Sequence, residues 1–190
     1  VMHDLQTHAS DAIRRNSLAT RKVGVGVMGL AHALMLLGLP YGSDAAEAFA
    51  RELSKSLFEA AHAESQRLAS RLGPYPAFDS GSGTPLRNAN LAAIAGTATI
   101  ALIVGTSCGI EPIHSYVTVQ RVIDREVRIM DPVVSFLLRE HGIDPAGAEG
   151  RMAMGDSLRE IAGDELADLC STALELPGSI HIRMQAALQA

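Results

Sequence analysis

The chain has 190 residues, 47% of them hydrophobic but only 4% aromatic and none of them Trp, so one domain is expected, with Ala, Leu, Ile, Val and Met filling its core. A net charge of −5, from 16 basic and 21 acidic residues, supplies no basic stripe for a phosphate backbone, and the cluster Arg121, Arg125 and Arg128 is too small to make nucleic acid an expected partner. Cys108 and Cys170 form no CxxC pair, VMHDLQTHAS is no leader, and no run of about 18 uncharged apolar residues exists, so a reduced, cytoplasmic protein with no membrane contact is expected.

Residues Asp4 to Arg15 read as a helix without a strong apolar face. RKVGVGVMG, Arg21 to Gly29, reads as a tight turn feeding a helix LAHALMLLG, with Gly38 as its C-cap and Pro40 barring continuation. Ser43 can cap the longest helix, Ala45 to Leu72, in which Phe49, Leu53, Leu57, Ala60 and Ala61 recur at helical spacing. Gly73 and Pro74 end it. GPYPAFDSGSGTPLRN is a loop by composition. NLAAIA then reads as a short buried strand, GTATIALIVG as a turn with a short buried helix, and VTVQRVI as an alternating strand. A helix fits Pro132 to His141, with Gly142 to stop it, and DPAGAEGRMAMGD reads as loop. Further helices are expected near Ser157 to Ile161, over Asp164 to Ala173 and in HIRMQAALQA. The fold class is mainly α with a few short buried strands, an α/β arrangement.

Three motifs bear on chemistry. Gly24, Gly26 and Gly29 match GxGxxG, but the preceding SLATRKV is polar and basic rather than a buried strand, so backbone packing explains them better than dinucleotide binding. The histidines show no metal pattern, since His3 and His8 lie off a shared helical face and His62 sits among alanines. Cys108, in TSCGIEP, reads as a small residue filling a tight spot. No metal site and no Ser-His-Asp arrangement is assigned. The strongest chemical candidate is NANLAAIAGTATIALIVG, Asn88 to Gly105. A small-residue turn opening a helix gathers free backbone N–H groups, which suits an anion, while Thr97 and Thr99 add hydroxyls. The alternative is a buried turn whose threonines cap the helix. The residues alone leave both readings open.

Five blocks in order resemble the catalytic subunit of ribonucleotide reductases, closest to the adenosylcobalamin-dependent class. They are ATRKVGVGVMGLAHALMLLGLPY, RLGPYPAF, RNANLAAIAGTATIALIVGTSCGIEP, VTVQRVIDREVRIMDP and PGSIHIRMQAALQ, spanning Ala19 to Gln189. The resemblance implies a helix-rich part of that family's ten-stranded barrel over residues 1–190, from its C-terminal part. It also implies that Gly96, Thr97, Ala98 and Thr99 correspond to the family's loop holding the substrate phosphate. The family's usual Pro-Thr-Gly-Thr-Ile-Ser is altered here at Gly96, Ala98 and Ala101, and its Tyr-x-Arg-Arg appears as Thr118 to Arg121. The Asn-Pro-Cys-x-Glu block of the radical cysteine is absent, so Cys108 and Cys170 inherit no catalytic role.

The expected function is therefore a nucleotide-phosphate-binding part of, or relative of, a reductase, supplied as a fragment, a split-enzyme subunit or a repurposed protein. Adenosylcobalamin is implied by the resemblance only. A half-barrel exposes apolar surface, so a homo-oligomer or a complementary reductase chain is the expected partner, with the helix from Ala45 as further cover. The alternatives are a non-catalytic interaction protein that keeps only the fold and, if a strand precedes Gly24, a dinucleotide enzyme.

Overall fold

The computed structural model describes residues 7–81, 83–122 and 124–189. They form nine helices and one hairpin among the described residues, grouped in two compact units.

The first unit comprises residues 7–26 and 52–95. Helix α1, Asp11–Thr20, begins where the Ser10 hydroxyl accepts the Ile13 N–H at 3.3 Å, later than the sequence suggested. Residues 4–6 of that expected helix, like His3, lie outside the described residues. Helix α3, Asp44–Leu72, runs on from Glu52 in this unit. Arg87 closes its C-terminus, with Nη1 donating to the carbonyl of Leu72 and to those of Gly73 and Pro74 just beyond it, at 3.1 to 3.2 Å. The RNAN block knits the unit together. Asn88 donates to the Arg21 carbonyl at 2.8 Å and accepts from the buried Ser65 hydroxyl at 3.1 Å, while Asn90 donates to the carbonyls of Val23 and Ala92.

The second unit comprises residues 27–51 and 96–190. Helix α2, Leu30–Leu36, ends in a Schellman motif: Gly38 is left-handed (φ 69°) and donates to Met35, and Leu39 donates to Leu34. Ser43 Oγ accepts the Ala46 N–H at 3.1 Å and starts α3. Then come α4, Ala98–Val104, and the antiparallel strands β1, Val117–Val122, and β2, Arg125–Met130, registered with Val117 opposite Met130. Helices α5, Pro132–Glu140, α6, Pro145–Ala153, α7, Leu158–Ala162, α8, Asp164–Leu169, and α9, Gly178–Gln189, follow. Leu30, Leu34, Val134, Leu138, Leu158 and Met184 form the centre of its core.

The helix-rich class stands, but details differ. The hairpin is exposed rather than buried, and NLAAIA makes a single parallel bridge, Ala92 to Val25. On α3 the fully buried positions are the small residues Ala46, Ala50, Ser65 and Ala69, whereas Phe49, Leu53 and Leu57 are half-buried and Ala60 is exposed. Close backbone approach selects the smallest side chains, so the buried stripe is rotated away from the bulkiest residues. The α4 helix is not buried either: Ala101 alone is sealed, and Ile103 is 78% exposed. DPAGAEGRMAMGD contains α6, capped by Asp144, which accepts the Gly147 N–H at 2.9 Å, with Pro145 in the first turn. No helix among the described residues is long and apolar enough to cross a membrane.

Candidate phosphate-binding turn

Thr97 is the N-cap residue of α4 and sits in the left-handed region, φ 46° and ψ 18°. A β-branched residue there costs about 1–3 kcal/mol and persists only when its surroundings hold it. Two bonds do so: the Thr97 carbonyl accepts the Ala101 N–H at 2.8 Å, and Thr97 Oγ1 accepts the Gly109 N–H at 2.7 Å. The hydroxyl is thus turned to the 106–109 loop and does not cap its own helix, which removes the capping alternative for Thr97.

The N–H groups of Ala98, Thr99 and Ile100 precede the first intrahelical bond of α4 and meet no acceptor among the described residues. They lie with Gly96 on exposed backbone. Thr97 Oγ1, having accepted one bond, keeps a proton to donate, and the exposed Thr99 hydroxyl is uncommitted among the described residues. Consecutive free amides flanked by two hydroxyls are chemically suited to a phosphate oxygen. The four residues singled out by sequence therefore form one contiguous surface.

The glycine motif serves packing. A Cβ on Gly24 would lie 2.6 Å from the Ala93 Cβ, and one on Gly26 would lie 2.2 Å from the Ala93 carbonyl oxygen. Gly29, at φ 83°, would place a Cβ 2.6 Å from Thr106 Oγ1. Among the described residues no strand precedes Gly24, and an isolated bridge at Val25 is all that is found there, so the dinucleotide reading loses its premise. Arg121 and Arg128 are each paired with a carboxylate, Glu126 at 3.2 Å and Glu149 at 2.9 Å.

Of the two free thiols, Cys108 is half-buried in the 106–109 loop and Cys170 is fully buried. Burial, with the Asp131 carboxylate nearby, pushes the Cys170 thiol up to about 12. It stays protonated near neutrality and is a poor nucleophile. Titration of the native chain with a thiol reagent at mildly alkaline pH should modify Cys108 and spare Cys170 until denaturant is added. Equal labelling of both in the native state would show that Cys170 is not sealed.

Sequence reasoning missed a second cluster. His32, on α2, donates from Nε2 to Asp131 Oδ2 at 2.8 Å and accepts the Ser107 N–H at Nδ1 at 3.1 Å. The pair is almost sealed, with side chains 7% and 13% exposed. LAHAL on an apolar face was the available signal, and its partner lies far along the chain.

The helix-rich architecture resembles part of a reductase barrel. The family model described as ribonucleotide reductase, barrel domain, matches residues 1–86 and 79–190, and the chain belongs to that family. It is 38% identical over 177 residues to the vitamin B12-dependent ribonucleoside-diphosphate reductase of Mycobacterium tuberculosis (strain H37Rv), covering 90% of this chain and 25% of that protein. The enzyme of the same name from Thermoplasma acidophilum is 31% identical, over 94% of this chain and 24% of its own length. Among solved structures, the Actinobacillus ureae class Id ribonucleotide reductase alpha subunit superposes with a TM-score of 0.77 at 26% identity, covering 93% of this chain and 32% of that one. The chain thus spans about a quarter of the length of the curated relatives it matches.

The described residues do not fit the cobalamin in the relatives' names. The groove on α3 lined by Phe58, Glu59, His62, Ala63 and Gln66 is shallow and open to solvent, with about 230 Å³ of space, and His62 there lies against the Phe58 ring at 5.9 Å. No group of three or more His, Cys, Asp or Glu side chains gathers among the described residues. No step is derived through that cofactor.

Proposed function

We propose that this chain works as part of a ribonucleotide-reducing barrel and that Gly96, Thr97, Ala98 and Thr99 hold the phosphate of a ribonucleoside diphosphate. The observation carrying this reading is the left-handed Thr97, whose side chain does not cap α4, so that the first three amides of that helix meet no acceptor among the described residues. The relatives are named for reduction of ribonucleoside diphosphates, which supplies the substrate class. No catalytic residue is assigned, because neither Cys108 nor Cys170 lies in a radical-cysteine motif.

The exposed apolar side chains Ile100, Leu102, Ile103 and Val104 form the surface on which further barrel segments would pack. Such segments come from the same polypeptide or from a complementary reductase chain, and residues 1–190 then act as one portion of the barrel domain. The two free thiols suit a cytoplasmic setting.

Thermal-shift titration with ribonucleoside di- and triphosphates tests the proposal, with NAD and adenosylcobalamin as comparators. At 100 times the dissociation constant, ligand should stabilise the chain by about 2.7 kcal/mol. Thr97→Pro should abolish that shift, because a proline φ near −65° is incompatible with the observed +46°. Thr97→Gly, which adopts a left-handed backbone freely, should retain most of it. No shift with any nucleotide sinks the phosphate reading and favours a scaffold that keeps the fold alone.

A further inference from the structure

The strained backbone at Thr97 is held by a loop that is itself held from beneath. Gly29 donates its N–H to the Ser107 carbonyl at 2.9 Å, and Leu30 donates to the Gly109 carbonyl at 3.4 Å. His32 makes the remaining attachments: its own N–H donates to Ser107 Oγ at 3.3 Å, and its Nδ1 accepts the Ser107 N–H at 3.1 Å, with Thr106 Oγ1 3.3 Å from the same nitrogen. An Nδ1 that accepts a backbone N–H carries no proton, so the ring proton sits on Nε2 and points at Asp131 Oδ2, 2.8 Å away. Asp131 Oδ1 is meanwhile fixed by the N–H groups of Val133 and Val134 at the start of α5. The imidazole therefore links the 106–109 loop to the first turn of α5.

We infer that His32 is a positioning residue for the phosphate-binding turn. Asp131 orients the ring, Nδ1 sets the 106–109 loop, and the Gly109 N–H then meets Thr97 Oγ1 at 2.7 Å and holds the left-handed backbone that frees the α4 amides. The consequence for ligand affinity rests on the proposed phosphate site. The mechanical link from His32 to the Gly109 amide does not.

Two conservative variants separate the two ring nitrogens. The amide oxygen of Asn reaches about as far as Nδ1 and can still accept the Ser107 N–H. The amide nitrogen of Gln reaches the position of Nε2 and can still donate to Asp131, but it places nothing at Nδ1. Amide hydrogen exchange at Gly109 and pyrophosphate affinity are measured on the full chain alongside melting temperature. His32→Gln should raise Gly109 exchange and weaken pyrophosphate by about tenfold, while His32→Asn stays within about threefold of wild type on both. Thr97→Val, remote from the buried pair, should free the Gly109 amide to the same extent with a loss of a few degrees in melting temperature, and it sets the exchange expected when the Gly109–Thr97 bond alone is lost. Unchanged Gly109 exchange in His32→Gln, or equal losses in both His32 variants in step with their melting temperatures, overturns the inference. A wild-type chain that takes up no pyrophosphate removes the phosphate reading alone, and the Gly109 exchange still decides the role of His32.

Discussion

Asp131→Ala will destabilise the chain by about 3 kcal/mol in urea-induced unfolding, because one carboxylate performs two separable tasks. Its Oδ1 caps α5, accepting from the N–H groups of Val133 and Val134 at 3.0 and 3.1 Å, and loss of such a cap costs about 1 kcal/mol. Its Oδ2 is the acceptor for His32 Nε2, whose side chain is only 7% exposed, and a buried donor left without a partner costs about 1–3 kcal/mol. The two losses are coupled through α5, which carries Val134 and Leu138 at 0% exposure, so fraying at its first turn reaches the core. Asp131→Asn should lose about half as much. Its single amide oxygen can cap the helix or accept from His32, but the other side of the amide then presents N–H to a donor. A loss below about 1 kcal/mol for the alanine variant would mean that another acceptor reaches His32.

Helix boundaries governed by local chemistry were legible in the sequence. Gly38 and Pro40 after α2, Ser43 before α3, Gly73 after it, Pro132 and Gly142 around α5, and Ser157 before α7 each act through atoms a few residues away. The helix α6 was missed because Gly147 and Gly150 weighed as loop residues against the Asp144–Pro145 start signal, which decides the matter by capping. Strand β2, REVRIM, was missed inside a charged stretch. Burial was the less legible property. NLAAIA and α4 are apolar enough for a core, yet Ile94, Ile100, Leu102 and Ile103 remain exposed, since burial depends on what lies opposite and periodicity carries no such information.

The turn at Gly96 to Thr99 was legible as a cluster of backbone donors, and the ordered blocks around it pointed to the reductase family. Its conformation was not. Threonine is a poor choice for a positive φ, so nothing local announces it; the cause lies at Gly109, and beyond that at a His32–Asp131 contact spanning 99 positions. Asn88 and Arg87 show the same limit. They stand in a block that resembles the family, but their work, holding the Arg21 carbonyl and the end of α3, appears only when distant backbone is brought beside them.

The GxGxxG spacing makes an equally severe prediction. Gly26→Ala should cost about 3 kcal/mol, because the new methyl would sit 2.2 Å from a backbone carbonyl oxygen, that of Ala93, which has no rotamer to escape into. Relief requires the 91–93 segment to move, and that segment is tied to the glycine turn by Val25 N–H to the Leu91 carbonyl at 2.8 Å and Ala93 N–H to the Val25 carbonyl at 3.1 Å. Gly24→Ala meets a side chain instead, the Ala93 Cβ at 2.6 Å, and should cost about 1–2 kcal/mol. The two glycines therefore respond differently to one second-site change. Ala93→Gly should restore most of the stability lost by Gly24→Ala and none of that lost by Gly26→Ala, giving a large coupling energy in one double-mutant cycle and almost none in the other. Glycines retained for a dinucleotide would behave otherwise: both alanine variants would fold with near-native stability and lose nucleotide affinity. Unfolding curves for the two cycles, read beside the thermal shifts with NAD, decide between a packed backbone crossing and a cofactor loop.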